Sequence, residues 1–160
     1  MNFLVYLEDS AFSEWLSVSM LGFPTFIALH SVGMAVVVGL SLMAALLLNG
    51  VITGISEKLI PEFLTLAVWG FVLNFLTGLA LFITRGSEYI SSYTFLIKML
   101  LVIISAAILF WLRQRLMSKE SRAESFTTDK LARHMSLVCT VTWFGAVIAG
   151  RLIAYLSSLY

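Results

Sequence analysis

Four apolar runs, each long enough to cross a lipid bilayer, set the limits on what this chain can become. They occupy about residues 22–48, 62–84, 91–112 and 134–157. A helix needs only ~20 such residues to span a hydrocarbon core. Of the 160 residues, 60% are hydrophobic and 12% are charged, and the mean hydropathy is +0.98. A soluble domain of this size has no interior large enough for that much apolar surface, so the solvent is lipid. In lipid the backbone must satisfy its own hydrogen bonds, which makes segments of this length helical. The expected fold is all-α: an integral membrane four-helix bundle forming one domain over residues 1–160.

The connections support that division. Pro24 opens the first run and Pro61 precedes the second, where a missing N–H is harmless. Gly50 and Gly54 break the segment 49–61, and "RGSEY" (85–89) predicts a short turn. Orientation follows from the Lys and Arg distribution. Segment 113–133 carries Arg113, Arg115, Lys119, Arg122, Lys130 and Arg133, and 49–61 adds Lys58. On the opposite side Arg85 stands alone, and the amino-terminal stretch offers Glu8, Asp9 and Glu14. These counts predict that both termini face away from the cytoplasm. Residues 3–20 bring Phe3, Leu4, Leu7, Ala11, Trp15 and Leu16 to one helical face. That pattern predicts an interfacial helix or lid, or a simple anchor with Tyr6 and Trp15 at the headgroups.

Composition also excludes functions. A net charge of +1 gives no footprint for nucleic acid. A single cysteine, Cys139, rules out an intrachain disulfide or a CxxC motif. "MNFLVYLEDS" has no cation ahead of its apolar residues and does not read as a secretory signal. No nucleophile–base pair or HExxH-type motif appears, so any catalysis is expected to be that of an oxidoreductase component.

Ionisable residues inside a span mark function by default, because each costs several kcal/mol. Three qualify: His30, Lys98 and Arg151. They lie about eight, seven and six residues from the outer ends of their helices, all ~10 Å below that boundary at ~1.5 Å per residue. Asn74 and Thr77 bring the second helix into the same layer. Snorkelling of Lys98 and Arg151 and a satisfied core histidine would account for each residue singly. Their common depth favours one shared site.

Two cations and an imidazole with no nearby acid call for an anion, and a ligand with a carboxylate edge and a large apolar body would suit a membrane bundle. Haem b fits that description, with His30 on the iron and Lys98 and Arg151 on the propionates. Gly33, one turn after His30, is expected to clear space for a macrocycle, as is Gly150 beside Arg151. Trp69, Phe75, Trp143 and Phe144 offer stacking surface. The glycines also suit plain helix–helix contact. The only other histidine, His134, opens the fourth helix at the far face, so both imidazoles cannot bind one iron in a chain. Copper ranks second, with His30 and Met34 at i, i+4 and Met20 and Met99 at similar depth. A quinone headgroup bonded to His30 or Lys98 ranks third.

The segments "ALHSVGMAVVVGLSL", "VWG…LTGLALF" (68–82), "FLIKMLL" (95–101) and "WFGAVIAGRLIAY" (143–155) resemble a family of uncharacterised four-helix bacterial inner-membrane proteins. More loosely, the His helix and the "FxxK" helix resemble the copper-resistance D membrane domain and the four-helix b-type cytochromes. The likeness implies that His30, Lys98 and Arg151 are motif positions. The di-haem cytochromes need several intramembrane histidines, which this chain lacks.

The expected function is therefore a haem b redox module passing electrons between the membrane and a periplasmic partner. The cofactor-binding residues would be His30, Lys98, Arg151, Asn74, Gly33 and Trp143, with His30 as the metal ligand. The alternatives are an accessory subunit of a larger complex without its own cofactor, or a copper-handling or small transport protein. A missing axial ligand also points to a homo-oligomer or hetero-complex.

Overall fold

The structure is a computed structural model describing residues 2–120 and 125–156, with backbone only at 2, 3, 120, 154 and 156. Among the described residues every regular element is helical. The elements are α1 (Asn2–Glu8), α2 (Ala11–Val18), α3 (Gly22–Leu48), α4 (Ile60–Thr84), α5 (Gly86–Ile90), α6 (Tyr93–Glu120) and α7 (Lys130–Leu156), with a 3-10 turn at Glu57–Leu59 before α4. The four long helices have 25 to 28 residues. At ~1.5 Å per residue each exceeds the ~30 Å hydrocarbon core. Their length and composition make this a multi-pass membrane protein.

The segment 49–61 turns where its glycines allow it. Gly50 and Gly54 adopt φ of 70° and 90°, a region costly for residues with a Cβ. Beyond the turn, Pro61 occupies the first turn of α4. The helices form a ring α3–α4–α6–α7, with the most extensive contacts in the pairs α3–α4 and α6–α7. The α3–α4 seam is closed by glycine. A Cβ on Gly33 would lie 2.7 Å from the Asn74 backbone nitrogen, and one on Gly70 would lie 2.7 Å from Val36 Cγ1. Between α6 and α7 the Ser105 and Thr142 hydroxyls are 2.7 Å apart. The core combines Val37, Leu48, Leu64, Leu109, Leu112 and Leu116 with Trp143, the largest fully buried side chain.

The structure corrects several sequence-based boundaries. The expected single helix over 3–20 is two helices, because Ser10 caps α2 with its hydroxyl accepting from Ser13 N (3.3 Å). The "RGSEY" turn is the short helix α5. The third span continues to Glu120, since 113–120 contains good helix formers apart from Ser118 and no Gly or Pro. Arg113, Arg115 and Lys119 therefore ride on α6 rather than in a loop. Arg122, and Ser157 at the expected end of the fourth span, lie outside the described residues.

Two carboxylates fasten the ends. Glu8 of α1 accepts from Ser87 N (2.6 Å) and Ser87 Oγ (3.0 Å), tying α1 to α5. Those bonds, the backbone one foremost, hold Glu8 below the usual carboxylate range. At the other end Asp129 caps α7 through Ala132 N (3.1 Å). It also receives Arg115 Nε at 2.7 Å, Arg115 Nη2 at 3.3 Å and Lys119 Nζ at 3.4 Å. The Arg115 bonds first, then the cap and Lys119, hold the Asp129 carboxyl down at about 2.

Asp129→Ala is expected to cost about 2 kcal/mol through loss of the cap and its charged hydrogen bonds. A depressed carboxyl stabilises fully above its unfolded value and loses that contribution as pH falls through its folded value. The stability gap between wild type and Asp129→Ala, measured by thermal unfolding in detergent, should hold from pH 7 to about 4 and close toward about 2.

Candidate functional site

His30 lies on α3 and turns its imidazole toward α4. Nδ1 is 2.9 Å from the Asn74 carbonyl oxygen and 3.3 Å from Thr77 Oγ1. A carbonyl only accepts, and the Thr77 hydroxyl donates to Leu73 O (2.7 Å) or Asn74 O (3.1 Å). The network therefore assigns the proton to Nδ1. Nε2 has no partner among the described residues, and its lone pair is left for a ligand. The ring fits because position 78 is glycine. A Cβ there would stand 2.9 Å from His30 Cε1 and 3.2 Å from Nδ1.

Two chambers of about 320 Å³ each open beside this imidazole. The first, toward α5, is walled by His30, Arg85, Glu88, Tyr89, Lys98 and Gly150, among others. The second runs between α4 and α6 and is almost wholly apolar, with Phe71, Phe75, Leu79, Met99 and Val102. His30, Asn74 and Lys98 form its polar edge. Phe75 and Leu79 are about half exposed, so this chamber opens on the lipid-facing side. His30, Gly78, Phe82, Phe95 and Lys98 belong to both walls. At the divide Phe82 stacks on Phe95 (5.6 Å, 14°), and Tyr89 stacks on Phe95 (5.6 Å, 18°).

Lys98 extends over Gly150 of α7, where a Cβ would be 3.7 Å from Nζ. Its ammonium has no carboxylate partner among the described residues; Glu88, on the same chamber wall, faces Arg85 at 4.0 Å. An uncompensated half-buried ammonium favours a ligand oxygen. Asn74 Oδ1 adds a buried acceptor without a partner among the described residues.

Of the expected site residues the structure brings together His30, Asn74 and Lys98. Arg151 is exposed and lines neither chamber. Gly33 lies in the α3–α4 seam, against Asn74 and Gly70 backbone atoms. Trp143 is wholly buried in the core beside Phe71, ring centroids 6.1 Å apart. Gly150 gives its space to the Lys98 stem. His134 is exposed at the far end of the bundle, with Nδ1 donating to Lys130 O (2.7 Å). Among the described residues no three His, Cys, Asp or Glu side chains converge as a metal-ligand group.

The sequence reading missed Gly78, Phe82, Tyr89 and Phe95. The one available signal was a glycine in "LTGLALF" at the depth of His30. Comparison with protein-family models, with curated proteins and with solved structures finds no match to this chain. The resemblance drawn from the sequence rests on the quoted residues alone.

Proposed function

We propose that the protein binds a membrane-soluble quinone at His30 and Lys98, as a small redox component of a bacterial inner membrane with both termini on the periplasmic side. The observation that carries this reading is the imidazole fixed through Nδ1, with an unpartnered Nε2 opening on an aromatic, laterally open chamber opposite an unpaired ammonium. Each property matches one part of the ligand. Lys98 donates to a quinone carbonyl oxygen, and His30 Nε2 accepts from a quinol hydroxyl. Phe82 and Phe95 flank the ring. The apolar chamber leads the isoprenoid tail out to lipid. Its volume is at the low end of the roughly 300–1,000 Å³ of small-molecule sites, suited to a single-ring head.

Haem b is the second reading. One observation favours it: an Nδ1–H bonded to a backbone carbonyl is how proteins orient a ligating imidazole. Against it, the Phe82–Phe95 stack divides the space, and a macrocycle fits only if the stack parts.

The test is equilibrium binding of short-tailed ubiquinone and menaquinone to protein in nanodiscs, alongside oxidised and reduced absorption spectra of the purified protein. Saturable quinone binding is expected. His30→Ala and Lys98→Met should each weaken it by about tenfold or more, the size of one hydrogen bond to a charged or activated group. Equal affinity in wild type and both variants overturns the assignment, and a Soret band lost in His30→Ala replaces it with haem.

A further inference from the structure

Helix α5 has only five residues, yet it touches both rings of the aromatic divide in the ligand site. A Cβ on its first residue, Gly86, would lie 3.2 Å from the Phe82 ring, so the α5 backbone leans closely on Phe82. Three residues further on, Tyr89 stacks on Phe95, the stacking partner of Phe82. Glu88 and Tyr89 of the same helix also wall the first chamber.

A helix this short does not hold its own shape or place, since isolated helices below ~12 residues are marginal. Helix α1 ties it down from outside. Glu8 Oε1 accepts from Ser87 N (2.6 Å) and Oε2 from Ser87 Oγ (3.0 Å), so both oxygens of one carboxylate grip one residue. Leu4, one turn earlier on α1, would stand 3.6 Å from a Cβ on Gly86. Ser87 sits between Gly86 and Tyr89 in a single turn, so fixing it fixes both aromatic contacts.

We infer that Glu8 is a positioning residue for the ligand site: through Ser87 and α5 it keeps Phe95 stacked on Phe82 and so sets the size of ring the site accepts. This deepens the quinone reading and rests on it. With the stack closed, a ring held at His30 and Lys98 is confined to one chamber of about 320 Å³. That space favours a single-ring head over two fused rings. With α5 released, Phe95 loses Tyr89 and is free to turn away from Phe82, and the two chambers join.

Short-tailed ubiquinone and menaquinone, with one ring and two, titrated against the full-length protein in nanodiscs test this. Wild type should prefer ubiquinone, and Glu8→Ala should reduce the ratio of the two affinities about fivefold or more, the effect of one ordinary hydrogen bond. Glu8→Gln keeps an acceptor oxygen for Ser87 N and should retain most of the preference. A folding defect alone would weaken both ligands and leave their ratio unchanged. Amide hydrogen exchange of the ligand-free protein reads the latch without any quinone. Glu8→Ala should speed exchange over residues 87–90 and leave α3 and α7 as they are. An unchanged affinity ratio in Glu8→Ala overturns the inference, as does unchanged exchange in α5 or a wild type indifferent to ring number. A protein that binds neither quinone overturns the reading on which the inference rests, and the exchange result then reports separately whether Glu8 holds α5.

Discussion

Gly33→Leu is expected to leave the protein without a folded, monodisperse form in detergent, and Gly33→Ala to cost about 2 kcal/mol or more. The reason is which atoms a side chain would meet. A Cβ at position 33 lies 2.7 Å from Asn74 N, 2.9 Å from Gly70 O and 3.0 Å from Asn74 Cα. All three are backbone atoms of a regular helix, and none can rotate aside. Helices α3 and α4 would have to separate along the most extensive seam of the bundle. Lipid tails are as apolar as the helix faces, so close packing is what holds membrane helices together, and separation forfeits it directly. His30, one turn earlier, would lose the Asn74 carbonyl in the same movement. Gly39→Ala is the control. Its Cβ would meet nothing within 4 Å, and the gain in helix propensity should leave stability equal or slightly raised. Size-exclusion profiles and thermal unfolding of the three variants check the contrast, and a Gly33→Leu protein as stable as wild type would show that the seam is not as drawn.

That contrast also shows where the sequence was legible and where it was not. Depth is readable from one chain, because helical rise is constant and span ends are visible. His30, Lys98 and Arg151 were placed in one layer on that basis. Azimuth is not readable, because it depends on which face each helix turns to its neighbours. Lys98 lies over Gly150, and the next residue is rotated ~100° away at ~3.6 residues per turn, so Arg151 points out of the bundle. Gly33 had two sequence-level roles, space for a macrocycle or helix contact, and its position against Gly70 and Asn74 is the second. The acceptor for His30 is a backbone carbonyl, which carries no side-chain signature. Phe82 of α4 meets Phe95 of α6, and Tyr89 joins them from α5, a helix that stands where a simple turn was expected. The four spans, by contrast, were visible because lipid imposes their length and composition directly.

Gly78→Val should remove quinone binding, by at least about tenfold, while the bundle stays folded. Here the obstructed atoms belong to a side chain. A Cβ at position 78 would approach His30 Cε1 to 2.9 Å and Nδ1 to 3.2 Å, with no backbone atom of another helix among its nearest neighbours. The imidazole can leave by rotating about χ1, at the cost of its bonds to Asn74 O and Thr77 Oγ1. One N–H shared between two acceptors amounts to ~1 kcal/mol, and an imidazole so released no longer presents Nε2 to the chamber. A plain packing defect would also weaken binding, and a double-mutant cycle separates the two causes. In a His30→Ala background the space beside position 78 is vacant, so Gly78→Val meets no ring and has no imidazole to displace. Its effect on quinone affinity should then vanish, and its effect on the thermal midpoint should fall to near zero or become stabilising. If Gly78→Val weakens binding equally in both backgrounds, the glycine shapes the chamber for the ligand itself rather than seating His30, and the fixed imidazole loses its place in the binding argument.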